Sequence, residues 1–124
     1  MLHIPGLYIA HTDNKGRGVF TAEAVPRDTV IEICHLIFLP VHELELLDQT
    51  GLYEYYFEWP GDKRACLALG YGSLYNHSPE PNAEIVFDLE TEQIIIKSTQ
   101  AITAGEEICI HYLGDESQEK PYWF

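Results

Sequence analysis

Three short segments carry the side chains that could do chemistry. Gly16-Arg17-Gly18-Val19-Phe20 sets a glycine-flanked turn ahead of an apolar strand. Glycine accepts positive φ and lets backbone come close to a ligand, so such a turn can cradle a small polar molecule. Tyr75-Asn76-His77-Ser78-Pro79-Glu80-Pro81-Asn82 combines two prolines with two asparagines. Each proline holds the residue before it in extended backbone, so the path is stiff while Asn76 and His77 offer hydrogen bonds. Gly105-Glu106-Glu107-Ile108-Cys109-Ile110-His111-Tyr112 ends an apolar strand on a tyrosine hydroxyl, which can donate or accept. Taken singly, each has an ordinary structural reading: a hairpin turn, a surface turn and an edge-strand aromatic.

Other chemistries leave no trace. The glycines lack the GxGxxG spacing and no helix follows them, so they are not a dinucleotide fingerprint. There is no phosphate-binding GK[ST] and no GxSxG nucleophile elbow. The histidines show no HxxxH or HExxH spacing and the cysteines no CxxC pair, so no metal is expected. Cys34, Cys66 and Cys109 are odd in number and far apart. Free thiols in a reducing, intracellular setting, cytoplasmic or nuclear, fit them best.

Twenty acidic residues against seven basic ones give a net charge of −13. Such a surface repels a phosphate backbone, so direct nucleic-acid binding is not expected. It would attract a basic protein or peptide, although the same charge also serves solubility. The apolar stretches, 36–41 and 94–96 among them, are too short to span a bilayer, and the N-terminus has no secretion signal; no membrane role is expected.

These segments need a scaffold. The chain has 124 residues, 46% of them hydrophobic, the size and content of one globular domain. Residues 7–10, 19–22, 30–39, 65–69 and 107–112 read as strands, rich in β-branched and aromatic side chains. Residues 83–89 and 93–98 read as a hairpin around Glu90-Thr91-Glu92. Leu44 and Leu47, inside 41–48, suit one or two helical turns. An aromatic strip covers 53–59, a loop 70–81, and a polar tail leads to Tyr122-Trp123-Phe124. The fold class is therefore mostly β with short helical turns. Residues 24–33 echo 101–110, each a polar turn feeding an apolar strand; either two related β-hairpin units pack together or the likeness is chance.

In combination and in order, Gly-Arg-Gly-Val-Phe, Asn-His-Ser-x-x-Pro-Asn-Ala and Gly-Glu-Glu-Ile-x-x-x-Tyr resemble the SET-domain lysine methyltransferases, from about Lys15 to Tyr112. In length, and in the run Ala68-Leu69-Gly70-Tyr71-Gly72-Ser73-Leu74-Tyr75-Asn76-His77-Ser78, the chain is similar to the small SET proteins of the chlorella-virus type. The resemblance implies a SET fold of small curved β-sheets with a C-terminal pseudo-knot, in which the end of the chain threads beneath the Asn-His loop. It implies one SET domain over 1–124, with a core of about 7–113 and a tail of 114–124. It implies that S-adenosyl-L-methionine is held by Lys15, Gly16, Arg17, Gly18, Asn76 and His77, with Trp123 or Phe124 over the adenine. Tyr112 would be the catalytic tyrosine, and Tyr55, Leu74 and Ile110 would line the channel for the substrate lysine. The substrate would be a histone or another basic protein, and the enzyme a homodimer; the alternative is a non-catalytic SET-like module that binds basic peptides. Two departures stand out. His111 takes a place often held by Asp. Ile110 takes one often held by Tyr or Phe, which would leave the channel room for more than one methyl group.

Overall fold

The computed structural model describes residues 2–111. Within them the chain is mostly strand: β1 (Leu7–His11), β2 (Arg17–Thr21), β3 (Val30–Cys34), β4 (Leu36–Leu39), β5 (Tyr56–Glu58), β6 (Ala65–Ala68), β7 (Asn76–His77), β8 (Ala83–Asp88), β9 (Gln93–Ser98) and β10 (Glu107–Ile110). Helix is confined to the short α1 (Leu44–Leu47) and to 3-10 turns at Val41–Glu43 and Gly72–Leu74. The strands form three small sheets in the orders β1-β2-β10-β7, β3-β9-β8 and β4-β6-β5.

The stretch 30–39 was expected as a single strand but is two. Cys34 turns into the core, 1% exposed, and the chain then changes sheets at His35. β3 pairs with β9 and β4 with β6, while the His35 carbonyl accepts from Leu69 N at 2.9 Å. The aromatic strip also divides: 56–58 forms β5, whereas Tyr53 and Tyr55 sit in turns closed by Tyr53 N to Thr50 O (3.2 Å) and Tyr55 N to Leu52 O (2.9 Å). The expected hairpin forms between β8 and β9, its register running from Ala83 opposite Ser98 to Asp88 opposite Gln93.

The internal echo has a structural meaning that differs from two hairpins. Val25 and Ile102, matching residues of the two segments, pair with each other: each donates its N–H to the other's carbonyl at 2.8 Å. Asp28 and Gly105, also matching, both adopt positive φ, 62° and 88°. The strands around these turns are exchanged. β2 pairs with β10 and β3 with β9, so each unit sends its two strands to different sheets. The echo marks a local two-fold relation whose crossing point is buried, Val25 at 2% and Ile102 at 1% exposure.

The main core gathers Val19, Ile31, Ile94, Ile96, Ile102, Ile108 and Ile110 around Tyr75. Burying each such side chain contributes about 1.5–3 kcal/mol. A smaller cluster of Leu47, Tyr56 and Ala65 lies where α1 covers the β4-β6-β5 sheet. β10 is inserted between β2 and β7. The last strand of the described residues is thus flanked by the glycine turn's strand and the Asn-His segment. The stretch expected to thread on from there lies outside the described residues.

Candidate active site

The turn from β1 to β2 is tied by Thr12. Its N–H and hydroxyl donate to the Gly16 carbonyl at 2.7 and 2.9 Å, and Lys15 N donates to Thr12 Oγ1 at 2.8 Å. Gly16 has φ of +73° with nothing within 4 Å of where a Cβ would stand, so the requirement for glycine is conformational. Gly18 is glycine for another reason. A Cβ there would run into the Glu107 carboxylate and stand 2.7 Å from Asn76 Nδ2. The turn forms one wall of a cavity of about 510 Å³. Asn14, Lys15, Gly16 and Arg17 line that wall; Asn76, His77, Ser73 and Leu74 supply a second, and Glu54 and Tyr55 a third.

β7 is only two residues long, and long-range partners hold it. It runs parallel to β10, with Asn76 opposite Cys109 and His77 opposite Ile110, and Ser78 N donates to Ile110 O at 2.9 Å. The loop before it is fastened from below by Glu32, 2% exposed on β3. A register shift in β3 between Val30 and Glu32 lets Ile31 and Glu32 both turn inward. A buried carboxylate must find donors. Glu32 accepts from Tyr75 Oη at 2.8 Å and from Tyr71 N at 3.0 Å. Burial, reinforced by the Glu32 charge, pushes both the Tyr75 phenol and the Cys34 thiol well up, so both stay protonated. Gly70, at φ +72°, leaves room for the same carboxylate.

At the cavity, Lys15 Nζ donates to His77 O at 3.4 Å and lies 3.8 Å from both Glu107 Oε1 and Cys109 Sγ. Glu107 Oε2 accepts from Asn76 Nδ2 at 2.8 Å, and the same nitrogen donates to Arg17 O at 3.0 Å. The His77 ring meets the His111 ring edge-on at 4.6 Å. Burial first, then His111 and Lys15, push the His77 imidazole down to about 4, so it is neutral near pH 7.

The fold therefore brings seven of the sequence-predicted site residues to one cavity: Lys15, Gly16, Arg17, Asn76, His77, Tyr55 and Leu74. Gly18 lies buried behind the wall, against Glu107 and Asn76. Ile110 is not on the cavity; it is fully buried in the main core, 0% exposed. Tyr112 and Trp123 lie outside the described residues. Two residues of the motifs, Glu107 and Asn82, and Glu32 of the 24–33 segment had no assigned role. Their signal was chemical, since carboxylates and an amide amid apolar positions need partners. Among the described residues no cluster of three His, Cys, Asp or Glu side chains could hold a metal ion. No helix there is long and apolar enough to cross a membrane.

Comparison with known proteins bears on the family and the fold. The SET domain family profile matches residues 16–113. A Schizosaccharomyces pombe (strain 972 / ATCC 24843) histone-lysine N-methyltransferase, H3 lysine-37 specific, is 39% identical over 107 residues, covering 86% of this chain and 72% of the relative. Among solved structures, that of a proposed histone methyltransferase of Plasmodium falciparum superposes with a TM-score of 0.72 at 31% identity, covering 90% of this chain and 96% of that one. Three ordered motifs, small sheets that bring two of them to one cavity, and a family match across most of the length lead to one assignment: the chain belongs to the SET-domain family of protein-lysine methyltransferases.

Proposed function

We propose that the chain transfers a methyl group from S-adenosyl-L-methionine to a lysine side chain of a histone or a similarly basic protein. The observation that carries the reading is the cavity joining the Lys15–Arg17 turn to Asn76-His77, which Tyr55 also lines. Its volume falls in the range of small-molecule sites, roughly 300–1,000 Å³. Its donor set suits a ligand with both amino-acid and nucleoside parts: Lys15 and Arg17 offer cationic groups, Asn76 an amide, and Leu74 and Tyr55 apolar surface. When bound, S-adenosyl-L-methionine supplies a methyl carbon on a sulfonium, which leaves as a neutral thioether while the lysine nitrogen takes the methyl.

The chain's own residues must then hold a neutral amine in line. A free lysine has a pKa of about 10.4, so the wall must disfavour the ammonium form. Tyr55 and Leu74 do so by desolvation. The Tyr112 hydroxyl, in this reading, orients the amine and stabilises positive charge on the methyl group in transit. The amine proton passes to water. The printed name of the yeast relative supports a histone substrate, and the net charge of −13 supports a basic one. The reading also includes one domain over 1–124 with a core of about 7–113, an intracellular location, no direct nucleic-acid binding and a two-fold dimer, whose mass light scattering would give.

The test is transfer of labelled methyl from S-adenosyl-L-methionine to core histones and to an acidic control protein. Labelling of histone lysine is expected, and Tyr112→Phe should cut the rate on the order of 10²–10³-fold without loss of folding. Cofactor binding without any transfer would instead identify a peptide-binding module.

A further inference from the structure

Resting on the reading of the cavity as the cofactor site, we propose that Glu107 is a positioning residue: it fixes the side-chain amide of Asn76 so that this residue presents an acceptor, and only an acceptor, to the ligand. The Asn76 side chain of β7 bonds to both β2 and β10. Its nitrogen donates to the Glu107 carboxylate at 2.8 Å and to the Arg17 carbonyl at 3.0 Å. Both partners are pure acceptors, and an amide nitrogen has two hydrogens to give. Both hydrogens are thereby committed within the protein, and the oxygen and nitrogen of the amide cannot be exchanged without setting an oxygen against two other oxygens. Among the described residues nothing bonds Asn76 Oδ1, and the side chain lines the cavity. What reaches the ligand is a carbonyl oxygen aligned in advance, which selects a ligand N–H or O–H at that point.

Two further features of the chain serve this arrangement. Gly18 leaves the space through which the Glu107 carboxylate and the Asn76 amide meet, since a Cβ there would displace both. Lys15 lies 3.8 Å from the other Glu107 oxygen, so the carboxylate is held from two sides. Glu107 is half-buried on β10 directly opposite Phe20 of β2, and its own strand neighbours are buried apolar residues. A carboxylate at that place has no packing role that an apolar residue could not fill.

The experiment uses the whole chain with Glu107→Ala, Glu107→Gln, Asn76→Ala and the double variant Glu107→Ala/Asn76→Ala. Circular dichroism and thermal melts confirm folding. The first readout needs no ligand: the side-chain amide proton pair of Asn76 in a 1H–15N spectrum. In the native protein these protons should exchange slowly. Glu107→Ala should shift the pair and speed exchange, while Glu107→Gln, whose own carbonyl can accept, should keep most of the protection. The second readout is calorimetric affinity for S-adenosylhomocysteine. Glu107→Ala should weaken it by about tenfold where Asn76 is present, the scale of one lost charge-assisted hydrogen bond, and hardly at all in the Asn76→Ala background. Unchanged Asn76 amide resonances in Glu107→Ala would overturn the proposal, and so would fully additive losses in the double variant. If S-adenosylhomocysteine fails to bind the native protein, the cofactor reading fails, and the amide spectrum still decides whether Glu107 positions Asn76.

Discussion

The side chain of Asn82 stands in for a strand against Cys109: its Oδ1 accepts from the buried Cys109 N–H at 2.9 Å, and its Nδ2 donates to the Glu107 carbonyl at 2.8 Å. One amide thus satisfies β10 backbone on either side of Ile108. Asn82 is 6% exposed, so water cannot replace it. Its own carbonyl accepts from Thr99 N at 3.0 Å, which ties the same residue to the end of the β8–β9 hairpin. The second asparagine of the motif is a clamp on the strand that leads to Tyr112.

Asn82→Ala should therefore destabilise the fold, because a buried N–H loses its partner at a cost of about 1–3 kcal/mol. Asn82→Asp should be worse at neutral pH. It keeps the acceptor for Cys109 but sets a carboxylate oxygen against the Glu107 carbonyl and near Glu106, whose Oε2 now accepts from Asn82 Nδ2 at 3.3 Å. Urea titrations of the three proteins check this. Equal midpoints for the native protein and Asn82→Ala would show that the clamp carries no stability.

Gly18→Ala isolates the space behind the cavity wall. No positive φ is required at this glycine, so the substitution acts through its Cβ alone, against Asn76 and the Glu107 carboxylate. Overpacking of this kind costs roughly 1–3 kcal/mol. The Asn76–Glu107 bond should open, so S-adenosylhomocysteine affinity should fall together with thermal stability. Gly16→Ala differs: nothing crowds its Cβ, but φ of +73° strains any other residue, so the turn rather than the Asn76 amide should suffer. Calorimetry on both variants, with the Asn76 amide spectrum, separates the two effects.

Sheet content was legible in the sequence because β-branched runs such as Gln93–Ser98 and Ala83–Asp88 are hairpin partners close along the chain. The break at His35 was not, because residues 30–39 are dominated by β-branched and other apolar side chains on both sides of it, and the choice between β9 and β6 as partners divides them. β7 could not be read either: Asn76 and His77 carry no strand propensity, and their pairing with Cys109 and Ile110 is distant in sequence. The cavity residues were legible by resemblance, but the reason for Gly18 was not, since it answers to Glu107 and Asn76 from two other strands. The placement of Ile110 on the channel came from the resemblance alone. In Ile108-Cys109-Ile110 every residue is buried, so alternation gives no sign of which way each faces; Ile110 packs in the main core.

The His77 imidazole makes a prediction in pH. Its pKa is pushed down from 6.5 to about 4, first by burial, then by His111 and Lys15. In the unfolded chain the ring takes a proton below about 6.5, whereas in the fold it resists protonation until about 4. Between those values the unfolded state binds more protons, so stability rises with pH across this window and is lost as pH falls through it. Above 6.5 the ring is neutral in both states and contributes no pH dependence. His77→Gln removes the group, so its denaturation midpoint should fall less between pH 7 and pH 5 than that of the native protein. Lys15→Met removes the ammonium charge that opposes the proton, and should move the His77 ring titration upward when followed by NMR. A native His77 ring that titrates near 6.5 would show that neither its burial nor the His111 ring at 4.6 Å holds the proton off.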